Sequence, residues 1–336
     1  MLSRRSRARL RVWMFLCGAT MIAACAYSLG SCTRYVPRSW RPAVTASARA
    51  SAPRAAYNVA PLLRPSTRYI GVAPVGLPHT DAQMIAFARR TGVRPTLVSY
   101  YTGWDSAFLP AVIKEIHGFG ALPLVNLDSD KAPVAAIAAG RYDSYLKQFA
   151  HDIRKLNLPL ALSFDHEFNG PWGEFGTVHT THRVFVAAWR HVHDVLTRAG
   201  ATNVIWVWMI SNSPSITHTP LLRALWPGGA YVDWVGVDGY YTGSEESFRG
   251  VFGRVLTRVR HFTRKPFLIT ETSVQQGTHA AASVDNLFAG VERHDDIVGV
   301  VWFDFNKAAV GRQDWRLEDD PAALTAYRRA AARLGR

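Results

Sequence analysis

Two glutamates carry the chemistry that this sequence suggests. Glu167 stands in Phe164-Asp165-His166-Glu167-Phe168-Asn169-Gly170, and Glu271 in Thr270-Glu271-Thr272. Each follows a short apolar run of β type. A carboxyl pair on two strand ends suits cleavage of a glycosidic bond. The protonated group gives its proton to the leaving oxygen, and the ionised one attacks the anomeric carbon or activates water. Their surroundings must then hold their proton affinities apart. Either glutamate alone also fits a structural ion pair. Trp104, Trp172, Tyr240, Tyr241 and Trp302 lie near the same strand ends and are candidates to stack on sugar rings, although each alone also suits packing. Asn126 and the aspartates Asp128, Asp165, Asp238 and Asp304 end other runs, as sugar ligands or structural hydrogen bonders.

Rival chemistries lack their residues. His166-Glu167 opens a zinc-protease pattern, but position 170 is Gly where the second His is needed. His191 and His193 point to different faces of a helix, and no third ligand accompanies them. There is no Gly-x-Ser-x-Gly elbow and no Gly-Lys pair, so serine-hydrolase and nucleotide-binding signatures are both missing. Neither metal nor cofactor is expected.

The elements that must position the glutamates alternate. Strands are expected at 69–75, 96–101, 122–127, 160–164, 204–210, 234–240, 267–270 and 297–303. Helices are expected at 81–90, 109–119, 142–156, 181–199, 248–262, 283–293 and 321–334. Several strands are apolar throughout, as in Val298 to Phe303, which marks burial on both faces and hence a parallel sheet under helices. Eight β/α units in about 250 residues match an α/β (β/α)8 TIM barrel, whose active site lies at the C-terminal strand ends. The rival is an open doubly wound sheet, but no glycine-rich phosphate loop follows the first strand.

These strand ends resemble glycoside hydrolase family 26. Ser163 to Trp172 is similar to the family's His-Glu-Met-Asn-Gly-x-Trp motif. Ile205-Trp206-Val207-Trp208 with Asn212, Val232 to Tyr240, Ile269 to Thr272, and Trp302-Phe303 with Asp314-Trp315-Arg316 resemble its later strands. The resemblance implies a retaining hydrolase of β-linked polysaccharide, with Glu167 as acid/base and Glu271 as nucleophile, about 5–5.5 Å apart. It implies that Tyr240 hydrogen-bonds Glu271, that His166 fixes the catalytic arrangement, that Trp302 floors the reacting subsite and that Trp172 lines the cleft. Trp104 and Asn126 complete the substrate-binding set. β-1,4-Mannan is the implied substrate, with mixed-linkage β-glucan and β-1,3-xylan as minority activities. Ser163, Gly173-Glu174-Phe175 and Asn126-Leu127-Asp128 depart from the family pattern at positions that shape subsites. A non-catalytic carbohydrate-binding module on a degenerate barrel is the alternative.

Composition sets the context. The 336 residues hold 39 Lys+Arg and 25 Asp+Glu, a net charge of +14. Residues 1–66 contribute 11 Arg and no acid, so residues 67–336 are close to neutral and give no sign of a nucleic-acid partner. Cys17, Cys25 and Cys32 all lie in the N-terminal stretch, which removes disulfide and thiolate chemistry from the rest. Five arginines before the apolar run from Val12 to about Gly30 read as a signal peptide, lipoprotein signal or membrane anchor over 1–32. Ile22–Cys25 and Leu29–Cys32 resemble lipoboxes. Residues 33–66, rich in Ala, Arg and Pro, read as a disordered linker able to tether the domain at 67–336 to a membrane or cell wall. The expectation is an extracellular monomer acting on polysaccharide, secreted or anchored on the outer face of the membrane.

Overall fold

A computed structural model describes residues 55–336 apart from 105, 172, 174, 218, 244–245, 307–312 and 336. The signal or anchor reading of 1–32 and most of the linker lie outside the described residues. Eight strands run as β1 (Tyr69–Pro74), β2 (Leu97–Gly103), β3 (Leu122–Asp128), β4 (Leu160–Phe164), β5 (Val204–Ser211), β6 (Trp234–Asp238), β7 (Phe267–Thr272) and β8 (Ile297–Asp304). They pair in parallel, in sequence order, and close into a barrel where Tyr69 to Pro74 meet Gly299 to Asp304. The expected TIM barrel is therefore present.

Helices connect the strands: α1 (Ala82–Thr91), α2 (Pro110–Phe119), α3 (Val134–Ala138), α4 (Asp143–Leu156), α5 (His182–Arg198), α6 (Thr219–Ala224), α7 (Arg254–Arg260), α8 (Ala280–Glu292) and α9 (Pro321–Leu334). Their ends follow local chemistry. Asp320 caps α9 by accepting the Ala323 N–H at 2.9 Å, with Pro321 in the first turn. Gly120 stops α2 at φ 94°, where a side chain would be strained. The helix expected over 248–262 begins as a π-helical turn, Arg249–Gly253. The short α3 and α6 were not anticipated from the sequence.

Strand alternation divides the core in two. Ala73, Leu124, Ile205, Val207, Leu268, Val301 and Phe303 belong to a cluster inside the barrel. Val72, Val125, Leu162, Trp208, Ile269 and Trp302 pack outward with the helices. A Cβ on Gly299 would sit 2.6 Å from the Tyr69 Cβ, so only glycine lets β8 approach β1 at this level.

The linker expected over 33–66 is corrected at its C-terminal end, because residues 55–66 are held against the barrel. Val59, Leu62 and Leu63 pack on the interior cluster below the strands. Trp234 Nε1–H donates to the Leu63 carbonyl at 2.9 Å, and the Tyr69 hydroxyl to that of Leu62 at 3.0 Å. Asn157, in the left-handed conformation that ends α4, accepts the Tyr57 N–H at 2.7 Å and donates to the Ala55 carbonyl at 2.8 Å. Pro61 starts a 3-10 turn, Ala60–Leu62, instead of an extended segment. The apolar residues beside the prolines explain the difference, since they close the lower mouth of the barrel. Among the described residues no helix is long and apolar enough to cross a membrane.

Candidate active site

The upper mouth, at the C-terminal strand ends, gathers the carboxylates. β4 ends at Phe164 and the chain turns sharply, with Asp165 at φ 54° and Glu167 at φ 49°. Two such residues without glycine's freedom cost of order 1–3 kcal/mol each, so their surroundings must hold them. Buried Asp165 accepts the Ser129 N–H at 2.7 Å and the Ser129 hydroxyl at 2.9 Å. Glu167 N–H donates to the Met209 carbonyl at 3.1 Å. Asn169 clasps the end of β5, donating to the Ser211 carbonyl at 3.0 Å and accepting the Ser211 N–H at 2.9 Å. The strain thus sits where the Glu167 side chain is aimed, and a hydrogen-bonded frame fixes it.

Glu271 lies on β7 beside an irregularity between Ile269 and Thr272, in register with Asp238 of β6. It is 7% exposed. The Tyr101 hydroxyl donates to its Oε1, and the Tyr240 hydroxyl to its Oε2 at 2.5 Å. Burial, and then the charge of Glu271, push both phenols well above their ordinary range, so both remain donors. Two fixed hydroxyls therefore solvate the carboxylate where little water reaches it. Tyr240 is held by Trp315 at 4.7 Å and by Phe303 at 5.8 Å between ring centres.

His166 links the two sides. Its Nδ1 lies 2.8 Å from Asp128 Oδ1, and its ring meets Tyr101 edge-on at 5.2 Å. Burial disfavours the imidazolium, but the charge and hydrogen bond of Asp128, joined by Glu271 and Glu167, outweigh it and raise the proton affinity well above the ordinary histidine value. Asp238 is fully enclosed, with the Thr270 hydroxyl donating to Oδ1 at 2.6 Å. Burial, then the charges of Glu271 and Glu167, push its carboxyl well above the usual range. Both glutamates thus act on the same two neighbours, which draws residues 104 positions apart in the sequence into one site. A protonated Asp238 adds no second negative charge beside Glu271.

Several expected ligands sit elsewhere. Trp302 is 1% exposed, points outward against Tyr327 of α9 at 5.3 Å and donates Nε1–H to the Trp315 carbonyl at 3.1 Å. It therefore does not floor a subsite. Trp104 is buried among Tyr142, Tyr145 and Phe164. Asn126 is enclosed inside the barrel, donating to the Ser99 hydroxyl at 2.9 Å and the Tyr100 carbonyl at 3.2 Å. Tyr241 faces Asn286 of α8. Trp172 lies outside the described residues. Asp304 is a buried partner of Arg90 at 2.9 Å. Burial raises its carboxyl to about 6 despite that cation. The sequence reading missed Tyr101 and the pairing of Asp128 with His166. Both residues end strands, the one positional signal available. Among the described residues no group of three or more His, Cys, Asp or Glu could hold a metal.

The family model "Glycosyl hydrolase family 26" matches residues 129–282. Endoglucanase H of Acetivibrio thermocellus is 26% identical over 271 residues, 76% of this chain and 29% of that protein. A β-1,3-xylanase of Vibrio sp is 27% identical over 144 residues, 43% of this chain and 29% of its own length. The chain thus spans under a third of these relatives. Among solved structures, a Cellulomonas fimi endo-β-1,4-mannanase double mutant aligns with TM-score 0.65 at 15% identity, covering 80% of this chain and 71% of that one. A Bacteroides ovatus GH26 β-mannanase aligns with TM-score 0.61 at 14% identity, covering 82% and 91%. At these identities the structural likeness concerns the fold.

Proposed function

We propose that this chain, whose residues 129–282 match the glycosyl hydrolase family 26 model, belongs to that family and is a hydrolase of β-linked polysaccharide that retains anomeric configuration. The observation that carries this reading is Glu271 with a tyrosine hydroxyl on each carboxylate oxygen, next to the strained Glu167 turn. Glu271 attacks the anomeric carbon as Glu167 gives its proton to the departing oxygen, leaving a glycosyl ester on Glu271. Glu167, now ionised, takes a proton from water, and the resulting hydroxide oxygen displaces Glu271. Tyr101 and Tyr240 keep the nucleophile in one orientation through both steps.

β-1,4-Mannan ranks first as substrate, because Ser163 to Trp172 resembles the motif of a family in which mannanases predominate. β-Glucan ranks second, because the relative matched over most of the chain is named Endoglucanase H. The basic and apolar start of the sequence supports export, with the hydrolase acting outside the cytoplasm. The test is to incubate the protein with β-mannan, mixed-linkage β-glucan and β-1,3-xylan and to size the products. Shortened mannan is expected. Release from none of the three would refute the hydrolase reading and favour a binding module.

The tyrosine clamp gives a graded prediction. A hydrogen bond to a charged group contributes about 1.5–3 kcal/mol, so Tyr101→Phe and Tyr240→Phe should each lower kcat by roughly 10- to 100-fold. Steady-state kinetics should show KM little changed. Unaltered kcat in both variants would contradict the clamp.

His166 gives a prediction in pH. Its folded-state proton affinity is raised, so its ion pair with Asp128 is complete below about pH 6.5 and is lost as pH rises through the raised value. Asp128→Asn removes the strongest raising influence and leaves burial, which lowers it, opposed only by the weaker pull of Glu271 and Glu167. The alkaline limb of kcat/KM against pH should therefore move to lower pH, and a limb that stays in place would show that His166 does not set it.

A further inference from the structure

The end of the barrel opposite the glutamates has its own character. There α6 and α7 finish and the chain turns into β6 and β7. Arg223, Trp226, Arg260, His261, Phe262 and Arg264 line an open pocket of about 690 Å³. Arg260 is committed to Asp296, through contacts of 2.8 and 2.7 Å. Arg223 and Arg264 are exposed and have no acidic partner among the described residues. Trp226 and Phe262, half-buried and 5.7 Å apart, form an apolar wall between them. Exposed Arg64 donates to the Arg264 carbonyl at 3.4 Å and adds a further cation. The opposite mouth carries the glutamate pair, Glu167 and Glu271.

We propose that this basic end rests on an anionic lipid surface. Lipid phosphates would occupy the space between Arg223 and Arg264, and the glutamate mouth would face away. Two observations favour lipid over a soluble anion. The cations are exposed and spread around an aromatic wall, which suits the headgroup level of a bilayer, where amphipathic rings and cations gather. Ala55 is bound at this same end, and the sequence before it holds ten Arg, no acid and the apolar run from Val12. The basic end would keep the barrel close to the membrane that this segment addresses, with its cleft open to polysaccharide.

The unit Arg54–Arg336 contains the closed barrel, its lower plug and all the helices, so it is tested both alone and within the full chain. The probes are phosphatidylcholine vesicles with and without about one-third phosphatidylglycerol, read by sedimentation. Each cation near such a surface contributes about a tenfold or smaller factor in partitioning, so Arg223→Glu with Arg264→Glu should lower binding to the anionic vesicles at least about tenfold. The paired Gln variants should fall between. Binding of the isolated unit should weaken with salt and be near zero on phosphatidylcholine alone. Polysaccharide turnover and circular dichroism should be unchanged in the variants, which lie away from the site. Equal binding of variant and parent, equal binding to both vesicles, or binding to soluble polyphosphate but not to vesicles would each overturn the proposal.

Discussion

Replacing Glu271 with alanine is expected to reduce polysaccharide hydrolysis by about four orders of magnitude or more. Nucleophiles that form covalent intermediates show losses on that scale, because no neighbouring group takes over bond formation. Asp238 stands in register with Glu271 on β6, but it is enclosed and burial shifts its carboxyl toward the neutral form. The folded state should tolerate the change, since among the described residues Glu271 accepts its bonds from Tyr101 and Tyr240, two side chains already packed in place. Turnover within tenfold of the parent, measured with the thermal transition unchanged, would remove Glu271 from the mechanism.

Glu167→Ala should separate substrates by their leaving groups. Polysaccharide needs a proton on its departing oxygen, so its turnover should drop by about 10²- to 10⁴-fold. An aryl glycoside whose phenol leaves without protonation should form the glycosyl ester almost normally. Hydrolysis of that ester still lacks its general base, so the intermediate should accumulate, and added azide should restore turnover by attacking it without base assistance. Equal losses on both substrates, with no effect of azide, would show that Glu167 serves only to shape the turn.

The barrel was legible because eight apolar runs each carried enough β-branched and aromatic residues to be seen alone. Facing was harder to read. Trp302 and Phe303 lie in a run that is apolar throughout, so period-two alternation leaves no trace, and the sequence alone could not tell which one turns inward. The structure turns Phe303 inward and Trp302 toward α9. The same holds for Tyr100 and Tyr101, and for Tyr240 and Tyr241, where one tyrosine of each pair enters the site and its neighbour packs outside. Asn126 was sought at the mouth but lies a layer lower, where Ser99 satisfies part of its amide. α3 and α6 have five and six residues, less than two turns, too few for an amphipathic period. Residues 55–66 read as a linker because prolines dominated the composition, whereas Val59, Leu62 and Leu63 determine where the segment packs. The glutamates were found because strand-end position and residue type coincide there. Tyr101 was missed because a tyrosine at a strand end carries no signature of its own.

The account depends on Glu271 bonding covalently to sugar while Glu167 stands opposite as acid and base. A 2-deoxy-2-fluoro glycosyl fluoride, made for whichever sugar the protein releases, slows breakdown of such an ester enough to isolate it. Peptide mass spectrometry after brief exposure should then find one added glycosyl group, on the peptide containing Glu271, and none in Glu271→Ala. A label on another carboxylate, or full hydrolysis of the reagent with inversion and no labelled peptide, would contradict the account.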